Sequence, residues 1–122
     1  MPTILLVEDE DPLRELIELA LSETYDVVTS KDGQGALTLL RNYPGNLDVL
    51  VADARLPDFN GWELINLSCR LRPAIKCVMM SGYPEQSSPP FTQTPPYRFL
   101  RKPFQLSELQ EIVLEVLAPS PQ

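Results

Sequence analysis

Histidine is absent from this chain, and cysteine occurs only twice, as Cys69 and Cys77. A tetrahedral zinc site draws on just those side chains, so one is all but excluded. Basic residues are also scarce, 10 against 17 acidic ones, which gives a net charge of -7. A surface of that sign argues against non-specific binding to nucleic acid or to an anionic membrane. No apolar run approaches the length of a membrane span. Met1-Pro2-Thr3 carries no basic residue and the apolar run after it is short, so no secretory signal is expected. The two thiols fall in an expected helix and an expected strand. They read as buried free thiols of a cytoplasmic protein, with a disulfide the lesser alternative.

What is present is enough for one domain with a real core: 122 residues, 43% of them hydrophobic. We expect the domain over 1–118 and a loose tail over 119–122, where prolines break the last helix. Thr3 to Val7 reads as a buried strand. Asp11-Pro12 then supplies an N-cap and a first helical residue. Leu13, Leu16, Ile17, Ala20 and Leu21 recur at helical spacing to about Glu23. Tyr25 to Ser30 is a second strand, and Asp32 caps a helix carrying Ala36, Leu37 and Leu40. Val49 to Ala52 is nearly uniformly apolar, as in a strand buried on both faces, and ends at Asp53. A helix from Gly61 to Leu71 points Leu64, Ile65, Leu67 and Leu71 inward, with Trp62 as a packing residue. Ile75 to Met80 is the fourth strand and Tyr97 to Leu100 the fifth. The last helix, Leu106 to Leu117, carries Leu109, Ile112, Val113, Val116 and Leu117 on one face.

Strands alternating with helices imply a doubly wound α/β fold with a parallel sheet and right-handed crossovers. One connection breaks the alternation. The stretch 83–96 holds Pro84, Pro89, Pro90, Pro95 and Pro96, which deny it a full helix. We expect an irregular Pro-rich segment there, with Phe91 folded back over the sheet.

In open parallel sheets, ligands bind beyond the carboxyl ends of the strands, where strand order reverses. Here those ends carry Glu8, Asp9, Asp53, Ser81 and Lys102. Clustered carboxylates raise one another's proton affinity unless a cation neutralises them. A hard divalent ion such as Mg2+ suits oxygen ligands of this kind. Carboxylates, a metal, a hydroxyl and an ammonium together suit phosphoryl transfer, with an Asp as acceptor. Glu10 and Asp11 read more simply as acids favouring a helix start, and Arg98 and Arg101 as solvated edge charges.

Four motifs now carry a resemblance: Ile4-Leu5-Leu6-Val7-Glu8-Asp9-Glu10, Asp53 with Leu56-Pro57 and Gly61 after it, Met80-Ser81-Gly82, and Lys102-Pro103-Phe104. The chain resembles a response-regulator receiver domain of two-component signalling, and the wording is similar to receivers of hybrid sensor histidine kinases. The resemblance implies a flavodoxin-like strand order 2-1-3-4-5. It implies that Asp53 takes phosphate from a kinase phosphohistidine in a phosphorelay. Asp9, Glu8, Asp53 and the backbone carbonyl of Arg55 would hold Mg2+. Ser81 and Lys102 would hold the phosphate, Ser81 and Phe99 would act as the switch, and the Lys102-Pro103 bond would be cis. The implied partners are a histidine kinase or a phosphotransfer domain, with no direct binding to nucleic acid or membrane. Helix one and the acidic edge would receive them. No effector segment is expected after residue 122, so output is expected through protein contact or a parent chain. Such a domain assists its own transfer and dephosphorylation and is not a turnover enzyme. Two other classes compete. A phosphatase with an Asp nucleophile would place an acid two residues on, where Arg55 stands. A pseudo-receiver would be a phosphorylation-independent protein-interaction module.

Overall fold

The computed structural model describes residues 1–82 and 97–118. Along them run β1 (Thr3–Val7), α1 (Asp11–Ser22), β2 (Asp26–Ser30), α2 (Gly33–Asn42), β3 (Val49–Asp53), α3 (Gly61–Leu71), β4 (Lys76–Ser81), β5 (Arg98–Arg101) and α4 (Leu106–Leu117). All strand pairings are parallel, as the alternation of strands and helices predicts, in the order β2-β1-β3-β4-β5 that the resemblance implies. The Pro-rich stretch 83–96, the expectation for Phe91 and the tail 119–122 lie outside the described residues. No described helix is long and apolar enough to cross a membrane.

The uniform hydrophobicity of the central strands has a direct cause: both faces of the sheet are covered. Successive side chains of a strand point to opposite faces. Leu5, Val7, Leu50, Ala52, Cys77 and Met79 therefore face α2 and α3, where they meet Ala36, Leu37, Leu40, Leu64 and Ile65. Ile4, Leu6, Val49, Val51, Val78 and Met80 face α1 and α4, where they meet Ile17, Leu21, Leu109 and Val113. Trp62 is buried in the first of these cores, with the Tyr97 ring edge-on at 4.9 Å between centroids.

Several local expectations shift. Asp11 is not the N-cap of α1; Glu10 holds that position and Asp11 pairs with Arg14 instead. The helix begins one residue early because the Glu10 carbonyl accepts from the Arg14 N–H. Leu16 is 49% exposed, since the buried stripe of α1 runs through Ile17 and Leu21. Leu71 is 38% exposed, at the last turn of α3. Asp32 does cap α2, accepting from the Gly35 N–H at 2.8 Å. Cys69 and Cys77 are free thiols with sulfurs 4.0 Å apart, and burial raises the Cys77 thiol far above its ordinary value.

The far end of α2 is closed by a residue from another element. Arg72, the C-cap of α3, donates to the carbonyls of Leu40 (2.9 Å), Gly45 (2.7 Å) and Tyr43 (2.8 Å). A planar guanidinium with several donors suits this task better than an ammonium. Arg72→Ala is expected to cost about 2 kcal/mol, because three carbonyls lose a charged donor at once. A urea denaturation midpoint would measure it, and Arg72→Lys is expected to recover only part of the loss.

Candidate functional site

Of the site residues named from the sequence, Glu8, Asp9, Asp53, Arg55, Ser81 and Lys102 fall at the carboxyl edge of the sheet or just beyond it, and Phe99 lies within β5. Glu8 and Asp9 follow β1, Asp53 ends β3, Ser81 ends β4 and Lys102 follows β5. Register brings them level: Val7 opposes Ala52, Asp53 opposes Met80, and Ser81 opposes Arg101. Strand order reverses beside β1, so this edge is the topological switch point. The Ser81 carbonyl also accepts from the Lys102 backbone N–H at 2.8 Å, which ties the end of β4 to the residue after β5. The Lys102-Pro103 peptide bond is cis.

Lys102 stands at the centre of the cluster. Its ammonium donates to Glu8 Oε1 at 2.9 Å and to Asp53 Oδ2 at 3.0 Å. The remaining carboxylate oxygens are used as well. Glu8 Oε2 accepts from the Glu10 N–H at 3.1 Å, and Asp53 Oδ1 accepts from the Arg55 N–H at 3.1 Å. Arg14 donates to the Glu8 carbonyl, closing the other side of that residue. Glu8 is fully buried, and burial raises its pKa above the ordinary value despite the Lys102 and Glu10 donors. For Lys102 the balance reverses. Burial works against its charge, but hydrogen bonds to Glu8 and Asp53 outweigh that and raise its pKa. Lys102 touches two carboxylates and stays the charged partner, while Glu8 is the group whose proton affinity can be adjusted.

A ligand oxygen from each of Glu8, Asp9 and Asp53 lies within 4.8 Å of the other two. An all-oxygen, carboxylate-rich set of that spacing fits a hard divalent cation such as Mg2+. Asp9 is exposed and is the most open of the three. Any cation would share Glu8 and Asp53 with Lys102. Arg55 presents its peptide beside Asp53, within reach of the same corner. Ser81 is buried at the strand end. Phe99, opposite Met79 on β5, is half-buried against the core that faces α2 and α3.

Two features of this edge were not legible beforehand. The resemblance implies a metal for Glu8 and a phosphate for Lys102, whereas the structure bonds the two to each other. The second feature is Asp58, which is bonded to the start of α2 by two backbone donors. An Asp beside a turn proline has the look of ordinary turn chemistry, and nothing nearby in the chain points 25 residues back.

Comparison with known proteins agrees with this geometry. Residues 4–114 match the family model of the response regulator receiver domain. The chain is 36% identical to the sensor kinase CckA of Brucella abortus over 94% of its own length, and spans 12% of that kinase. It superposes on the receiver domain of the hybrid histidine kinase CckA with TM-score 0.79 and 28% identity, covering 95% of this chain and 99% of that one. The response regulator TrrA of Thermotoga maritima, solved in complex with Mg2+-BeF, gives TM-score 0.81 and 28% identity over 96% of this chain and 100% of the other. A switch-point edge carrying this charge cluster, on this strand order, and a family match across nearly the whole chain lead to one statement: the chain belongs to the response-regulator receiver domains of two-component signalling.

Proposed function

We propose that Asp53 is a phosphoacceptor, taking phosphate from the phosphohistidine of a histidine kinase or phosphotransfer domain with the help of Mg2+. One observation carries the reading. Asp53, 8% exposed at a strand end, lies between the Lys102 ammonium and the Arg55 N–H, with Glu8 and Asp9 oxygens close by. The Mg2+-BeF complex of TrrA supports it by likeness.

Bound Mg2+ would supply positive charge that offsets the phosphoryl oxygens, held by Asp9, Glu8, Asp53 and the Arg55 carbonyl. An Asp53 carboxylate oxygen attacks phosphorus, the P–N bond to the donor imidazole breaks, and an acyl phosphate forms on Asp53. Lys102 turns from the Asp53 carboxylate to a phosphoryl oxygen as charge moves outward. The Ser81 hydroxyl donates to another, and Phe99 follows it as the switch. Water later cleaves the acyl phosphate and restores the carboxylate. Asp53 is itself the group that carries the phosphate until water removes it, so this is a self-assisted acceptor rather than a turnover enzyme. The proposed compartment is the cytoplasm, where free thiols such as Cys69 and Cys77 persist.

Incubation with acetyl phosphate and Mg2+, followed by intact mass measurement, is expected to show one phosphate adduct. Asp53→Asn is expected to show none, and a chelator present during the incubation is expected to prevent the adduct on the unaltered chain. No adduct with any divalent metal would turn the reading toward a phosphorylation-independent interaction module. Many turnovers on a small phosphate ester would turn it toward a phosphatase.

A further inference from the structure

We infer that Asp58 is a positioning residue for the metal corner of the site, acting as a clamp between the β3–α3 loop and the start of α2. The inference rests on the phosphoacceptor reading and adds a residue to it.

The loop from Ala54 to Asn60 begins at the Asp53 carboxylate and carries the Arg55 carbonyl. It is folded on itself: Arg55 bridges Asn60, the Leu56 N–H donates to the Phe59 carbonyl at 3.2 Å, and the Gly61 N–H donates to the Ala54 carbonyl at 2.9 Å. These bonds set its shape and join it to α3, and the Ala54 N–H donates to the Met80 carbonyl of β4 at 2.8 Å, but none of them reaches α2. Asp58 does. Its Oδ1 accepts from the Gly33 N–H at 2.8 Å and its Oδ2 from the Gln34 N–H at 2.9 Å. Helix starts leave their first N–H groups unpaired, and a carboxylate there is doubly favoured, by bonds and by the helix dipole. In α2 the work is divided. Asp32 serves Gly35 with its side chain and Ala36 with its carbonyl, while Asp58 serves Gly33 and Gln34.

A second contact makes the same junction. A Cβ at Gly33 would overlap the Phe59 ring, so the missing side chain lets the loop seat directly on the helix. The helix beneath it is fixed, with Ala36, Leu37 and Leu40 buried in the core. The clamp thus runs from a rigid helix through Asp58 and the folded loop to the Arg55 peptide, whose N–H holds Asp53. Groups behind a metal's direct ligands set their orientation and its affinity.

A plain helix cap would matter only to stability, and Asp32 provides the control because it caps the same helix without touching the loop. Mg2+ affinity is read by isothermal titration and thermal stability by circular dichroism. Asp58→Ala is expected to weaken Mg2+ binding about tenfold. Asp32→Ala is expected to lower the melting temperature similarly while leaving Mg2+ affinity within about twofold, since it removes a cap of like strength. Asp58→Asn, which keeps one acceptor oxygen without the charge, is expected to fall between. Unchanged Mg2+ affinity in Asp58→Ala, or equal losses in both alanine variants, overturns the clamp alone. Absence of Mg2+ binding by the unaltered chain overturns the phosphoacceptor reading along with it.

Discussion

Lys102→Ala is expected to slow phosphorylation of Asp53 by acetyl phosphate about a hundredfold or more, the scale seen when one charged donor to a transition state is removed. The same change is expected to tighten Mg2+ binding. The two effects separate because the proposed function gives Lys102 two roles. Before transfer its ammonium neutralises Glu8 and Asp53, the former fully buried. A divalent cation arriving at Glu8, Asp9 and Asp53 meets a positive charge already in place. With alanine there, three carboxylates within 4.8 Å have lost that charge and repel one another, which a divalent cation relieves. During transfer the ammonium is also the group able to follow the charge onto the phosphoryl oxygens. Its loss therefore strengthens the metal complex and weakens catalysis together. The Glu8 carboxyl, already raised by burial, moves further up without its partner, so the gain in Mg2+ affinity grows as pH rises and Glu8 ionises. Titration calorimetry at two pH values and the rate of adduct formation by mass spectrometry test both halves. Weaker Mg2+ binding, or an unchanged rate, would refute the dual role.

Gly61→Ala is expected to cost about 3 kcal/mol or more, a large share of the ~5–15 kcal/mol that holds a domain of this kind together. A Cβ built on Gly61 lies 2.7 Å from the Ala54 Cα and 2.8 Å from the Asp53 carbonyl oxygen. Both are backbone atoms at the turn out of β3, and neither can swing aside as a side chain would. Alanine normally favours a helix over glycine by about 1 kcal/mol, so destabilisation here reverses the usual sign. Gly82→Ala is a matched control, since its Cβ would sit 3.9 Å from the Lys102 Cβ, an ordinary contact. Urea denaturation of both variants decides the matter. Equal midpoints would mean that the start of α3 can retreat from β3 after all.

The fold was legible because its signals are local. Central strands such as Leu5-Leu6-Val7 and Leu50-Val51-Ala52 are apolar on both faces, and only a sheet covered on both sides makes that pattern stable. Helix ends were legible where the capping side chain itself makes the bond, as with Asp32, and misplaced where a backbone carbonyl opens the helix one residue earlier, as at Glu10 and Asp11. Asp9, Asp53 and Lys102 could be gathered in advance because parallel strands deliver their ends to one edge. What sequence could not supply was the pairing among them. The bond from Lys102 to Glu8 spans 94 positions, and the clamp from Asp58 spans 25 and 24. The fork of Arg72 onto Leu40, Tyr43 and Gly45 is of the same kind. A short-range pattern has no means of expressing contacts whose partners are chosen only when the elements stack.

Asp58 and Arg72 together give α2 a property that neither confers alone. An acid sits at its positive end and a base at its negative end, both from the stretch that forms the loop before α3 and the cap after it. One layer of the domain is thereby stapled at opposite corners, with hydrophobic packing between. No comparable pair of staples joins α1 to α4 among the described residues, where Gln110 reaches the Ala20 carbonyl. In mechanical language, α2 and α3 form a stator. A rearrangement begun at Asp53 is expected to push against that fixed frame and to fall on β4, β5 and the opposite layer.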